Sequence, residues 1–90
     1  MSGYNKMNPK RKKNEKKFGS WDELSDGGRR YFFEVRGQYG FKARYVKEVD
    51  KSEITIKFYQ EIYDNKGQLI EIHEKYPVDT GHVKVGGNNT

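Results

Sequence analysis

The 90-residue chain has no cysteine, which excludes disulfides and thiolate metal sites. Long hydrophobic runs are missing too. No stretch approaches the roughly 20 apolar residues of a membrane-spanning helix, and the first residues contain no apolar leader-like segment. The expectation is a soluble, cytoplasmic protein without membrane association. Only two histidines occur, His73 and His82, and no ligand spacing surrounds them, so neither metal nor cofactor is expected. No Gly-rich phosphate loop precedes a helical pattern, because Gly37–Gly40 lies between strand-like segments. Asp79-Thr80-Gly81 resembles the aspartic-protease triplet, but it has no second copy and reads as a turn. Neither Ser52 nor Thr80 sits in a nucleophile context.

Charge is plentiful but uneven. Residues 1–17 hold seven basic groups and one acid, a charge of +6, while the rest of the chain carries −1. This N-terminal segment has almost no apolar side chains to offset the entropy of ordering, and it reads as a disordered basic arm. Lys10, Arg11, Lys12, Lys13, Lys16 and Lys17 make it a candidate electrostatic contact for nucleic acid, or a solubilising tail. A single domain is expected over 18–85, with a disordered tail at 86–90.

Ser20-Trp21-Asp22-Glu23 matches a capping box and predicts one short helix, ended by Asp26-Gly27-Gly28. From Arg29 onward the period is two, the strand signature. Strands are expected at about 30–36, 41–49, 53–63 and 68–75, with a short fifth at 82–85. Their turns are too short for parallel crossovers. The fold class is therefore α+β, mainly β: a four- to five-stranded, strongly bent antiparallel meander with one short N-terminal helix.

Register can be argued from the turns. Asp64 to Gly67 predicts a three-residue loop with Gly67 left-handed, setting Ile62 against Ile70 and Gln60 against Ile72. A four-residue loop at 50–53 pairs Tyr45 with Phe58. One face then collects about thirteen apolar residues, including Tyr31, Phe33, Tyr45, Phe58 and Ile72. The other carries Phe32, Lys42, Arg44, Lys57, Tyr59, Glu61, Glu71 and His73, with Arg44, Tyr59 and His73 in one row. One short helix cannot cover thirteen apolar residues, so a homodimer or another protein partner is expected.

The segments Phe41–Asp50, Gln60–Asp64 with Gly67, and Ile70–His82 resemble a small prokaryotic family without an assigned activity. The run His73-Glu-Lys-Tyr-Pro-Val-Asp-Thr-Gly-His82 is its most distinctive part. The plan is also similar to short β-rich toxins of the TumE type in toxin–antitoxin pairs, through Tyr63-Asp64-Asn65 and the two late histidines. That similarity implies no catalytic residue.

On the residues themselves, three functions stay open. A metal-independent ribonuclease needs an acid, a base and a cation, which His73, Tyr59, Arg44 and His82 can supply, with Lys42 and Lys57 contacting phosphate. Nucleic-acid binding without cleavage needs aromatic and basic side chains together. The alternative is a non-catalytic interaction module, such as an inhibitor, a phage accessory protein or a small subunit, docking through sheet edges. An Arg–Tyr–His row is also an ordinary solvated sheet face.

Overall fold

The computed structural model describes residues 8–85. One helix, α1 (Pro9–Phe18), precedes six strands: β1 (Ser20–Glu23), β2 (Arg29–Arg36), β3 (Lys42–Val49), β4 (Thr55–Tyr63), β5 (Leu69–Tyr76) and β6 (Gly81–Lys84). They form one antiparallel sheet in the order β1-β2-β3-β4-β5-β6, the meander expected from the short turns. Among the described residues the strands number six rather than four or five.

The helix is displaced from its expected place. α1 occupies residues expected to be a disordered arm, and the capping-box segment is strand β1, paired with β2 through Trp21↔Tyr31. Asn8 accepts a hydrogen bond from the Lys10 N–H, Pro9 opens the first turn, and left-handed Gly19 closes the helix. Gly19 therefore ends one helix instead of preceding another. The segment looked unable to fold because its anchoring stripe is polar. Asn14 and Phe18 are buried, while Arg11 and Glu15 bond to other elements. A hydrophobic pattern search does not register such a stripe. Residues 1–7 of the expected arm and the whole of the expected tail, 86–90, lie outside the described residues.

Three turns share one design. In each, the first residue's N–H donates to the carbonyl four residues on: Leu24 to Gly28, Asp50 to Ile54 and Asp64 to Gln68, all at 2.9 Å. The fourth residue donates back and takes positive φ: Gly27 at 89°, Glu53 at 69° and Gly67 at 81°. The Asp64 turn is the predicted three-residue loop. The Asp50 turn is not the predicted four-residue one, because a glutamate fills the position usually given to glycine.

Register departs from expectation through bulges. Tyr45 pairs with Gln60, not Phe58, a slip of two that preserves faces. Between Ile62 and Tyr63 the β4–β5 ladder shifts by one, so Ile62 faces Glu71 and Gln60 faces His73. A shift of one reverses every side chain beyond it. His73 and Glu71 thus join the face that carries α1, and Ile72 leaves it; a second shift between Phe58 and Tyr59 makes Lys75 the extra residue, its Nζ over the Tyr45 ring, and sets Tyr76 opposite Phe58.

The core lies where α1 crosses this face. Phe18, Tyr31 and Val49 are buried, with Trp21, Phe33 and Phe58 packed against them. On the other face Val46 is buried between its cross-strand partners Phe32 and Tyr59. Coverage stops there. Val35, Ile54 and Ile56 are 47%, 51% and 49% exposed, as the shortage of covering residues anticipated.

Candidate nucleic-acid interface

The corrected register sorts charge by face. On the face away from α1, Arg30 bonds to Glu48 at 3.1 Å and Lys42 approaches Glu34 at 3.5 Å, while Arg44 stands across the ladder from Glu61 with its buried Nε unpartnered among the described residues. Arg44 lies over the Phe32 ring at 4.4 Å, and Lys57 over Tyr59 at 5.5 Å. Burial, then the charges of Glu48 and Glu61, pushes the Tyr59 phenol up to about 12, so it holds its proton. Its hydroxyl donates to Glu48 at 3.3 Å.

The α1-bearing face is different. Lys10, Lys13 and Lys17 follow one another at helical spacing and line two adjoining hollows of about 330 and 460 Å³. Both hollows share Lys47, Ile54 and Thr55; the larger is floored by Phe18, Phe58 and Tyr76. Lys47 Nζ donates to Asn14 Oδ1 at 3.0 Å. Burial, then the nearby charge of Lys17, lowers the Lys47 pKa. Lys17 and Lys47 thus bring two ammonium groups to one groove, with the charge of Glu53 acting on Lys47 in the opposite sense. Glu53, the acid at this place, is already held by Arg11 at 2.8 Å.

Beyond the groove the same face continues as an aromatic surface. Phe33 and Tyr45 stack with centroids 5.0 Å apart and planes at 19°. Lys75 Nζ stands 5.5 Å from the Tyr45 ring and 5.9 Å from the Phe58 ring. Gln60 donates to the Tyr45 hydroxyl at 3.1 Å. Next come the two histidines, paired across β5 and β6 with ring centroids 4.6 Å apart. His73 Nε2 meets Asp79 Oδ1 at 2.6 Å, and His82 Nδ1 meets Glu71 Oε1 at 2.9 Å. The hydrogen bond from the Gly81 N–H and that to His73 hold the Asp79 carboxyl below its usual range.

No family model, curated protein or solved structure matches the chain.

The expected site is thus divided. His73 and His82 come together, but Tyr59 and Arg44 stand on the opposite face, so the predicted Arg–Tyr–His row does not form. Lys42 and Lys57 are on that opposite face as well. Of the arm, Lys10, Lys13 and Lys17 reach the groove, Arg11 is committed to Glu53, and Lys12 and Lys16 are exposed. Sequence reasoning missed Lys47, Lys75 and the aromatic floor. One signal was present: Lys47 interrupts the inward alternation between Tyr45 and Val49, and an inward charge is a feature to explain.

Proposed function

We propose that the protein binds single-stranded nucleic acid, RNA foremost, along its α1-bearing face. The observation that carries this reading is the convergence of Lys10, Lys13, Lys17 and Lys47 on a groove with an aromatic floor. Lysines there track a phosphate backbone, and unstacked bases lie on Phe58, Tyr45 and Phe33. Flexible strands suit the site because the aromatic rings lie on an open sheet face that a duplex, with its bases stacked inside, does not engage. The acids of β2, β3 and β4 face the other way, and Glu71, the acid that the shift brings to this face, is bonded to His82 at 2.9 Å.

Fluorescence anisotropy of a labelled single-stranded RNA, titrated at several salt concentrations, tests this. Replacing Lys13, Lys17 and Lys47 together by Ala should weaken binding and flatten the log Kd against log salt slope by about 2, at roughly 0.7 per lost phosphate contact. Replacing Lys42 and Lys57 should change little. Equal losses from both sets, or no binding by the parent protein, would reject the groove.

A second reading, docking of another protein chain, is favoured by β6. This outermost strand carries Val83, 50% exposed, and is followed by Val85, 39% exposed.

A further inference from the structure

We infer that His73 and His82 form an acid–base pair that cleaves the RNA lying on this face, by transesterification through the 2′-hydroxyl. The inference rests on the binding reading above and adds a reaction to it. Each imidazole has one nitrogen fixed by a carboxylate, His73 Nε2 by Asp79 and His82 Nδ1 by Glu71. The opposite nitrogens, Nδ1 of His73 and Nε2 of His82, make no hydrogen bond among the described residues, and the His73 and His82 side chains are 17% and 49% exposed. A base oriented by a third group is the usual arrangement of a proton-transferring histidine. Here two such units stand side by side on adjacent strands.

The rigid frame beneath them is visible. Asp79 Oδ1 also accepts from the Gly81 N–H at 2.9 Å. Thr80 N–H donates to the Glu74 carbonyl at 2.9 Å, and the Glu74 N–H donates to Thr80 Oγ1 at 3.1 Å. The 77–80 connection is thereby pinned across β5, and Asp79 is carried to His73. The pair adjoins the aromatic surface directly, because His73 lies across β4 from Gln60, which bonds to Tyr45. Lys75, its Nζ over the Tyr45 and Phe58 rings, and Lys84, two residues along β6 from His82, are on the same face.

The reaction balances without a further reagent. A neutral imidazole takes the proton of a ribose 2′-hydroxyl. The 2′-oxygen forms a bond to the adjacent phosphorus, and the bond from phosphorus to the 5′-oxygen breaks. The second imidazole, protonated beforehand, gives its proton to the departing 5′-oxygen. The products are a 2′,3′-cyclic phosphate and a 5′-hydroxyl, and the two imidazoles have exchanged protonation states. Lys75 and Lys84 are placed to offset the charge that grows on the phosphorane oxygens. DNA lacks the attacking hydroxyl and should bind without being cut.

The experiment incubates the purified full chain with end-labelled single-stranded RNA, and separately with DNA of the same sequence. His73→Ala, His82→Ala and the near-isosteric His73→Asn are run beside it, each first measured for RNA affinity by anisotropy and for fold by circular dichroism. The expected result is cleavage of RNA alone, with cyclic-phosphate ends, reduced about 10²- to 10⁴-fold in each folded variant at protein concentrations that saturate the RNA. RNA bound but left intact by the parent protein would overturn the cleavage and leave the binding reading standing. Cleavage that survives in the folded histidine variants would overturn it equally. Absence of RNA binding would overturn both.

Discussion

Glu53 shows how much one side chain does in a small protein. The residue is 3% exposed, and its carboxylate accepts hydrogen bonds from Arg11 at 2.8 Å, Asn14 at 3.0 Å and the Tyr31 hydroxyl. These partners come from α1 and β2, so one turn residue ties the helix to the sheet. Burial alone would raise its pKa; the bonds from Asn14, Tyr31 and Arg11 outweigh it and hold the carboxyl below its ordinary 4.5. Burial, and then the bond to Glu53, pushes Tyr31 up to about 12. The sign follows. A depressed carboxylate contributes its full stability above 4.5 and loses it as pH falls through the lowered folded value. Acid titration followed by Trp21 fluorescence should show this loss, and Glu53→Gln should reduce it. Glu53→Gly removes the left-handed strain of about 1–2 kcal/mol but strands charge-assisted bonds of roughly 1.5–3 kcal/mol each. It should destabilise by at least about 2.5 kcal/mol in urea unfolding. A gain in stability would show that the network contributes less than the strain it imposes. None of this was readable in the sequence, because a glutamate at positive φ is uncommon and burial of a carboxylate rarer still.

Among elements, period-two alternation located β2, β3, β4, β5 and β6 within a residue or two, because half-buried antiparallel strands leave that pattern. The Asp64 turn was readable as well, through its aspartate and Gly67. Helix and bulges were not. α1 is held by hydrogen-bonded side chains, and its partners Glu53 and Arg29 lie far along the chain. The bulge between Ile62 and Tyr63 leaves no compositional mark, yet it decides which face His73 occupies. Two substitutions separate these elements. Phe18→Ala should destabilise by about 3–5 kcal/mol, since a buried aromatic ring is deleted at the helix–sheet contact. Gly67→Ala meets no atom within 4 Å, so its cost is the backbone alone, about 1–2 kcal/mol. Equal urea midpoints for the two variants would contradict the core assigned to α1.

For the molecule as a whole, the two faces divide the work. One carries two ion pairs and the cation–aromatic contacts of Arg44 and Lys57, and it buries Val46. The other gathers α1, its lysines, the stacked aromatics and the histidine pair. The sequence displayed the chemical inventory of this site but placed part of it wrongly. The register shifts moved His73 and Lys75 to the face of Tyr45, and they moved no acid onto the lysine groove. The arm's positive charge, assigned to a tail, belongs in part to a folded surface.

The most direct test of that division is an NMR titration of the isotope-labelled chain with a single-stranded RNA oligomer. Shifts concentrated at Lys13, Lys17, Tyr45, Lys47, Phe58, His73 and His82, with Phe32, Arg44 and Tyr59 unmoved, are the predicted result. Shifts centred on Phe32, Arg44 and Tyr59, or none at saturating RNA, would contradict it.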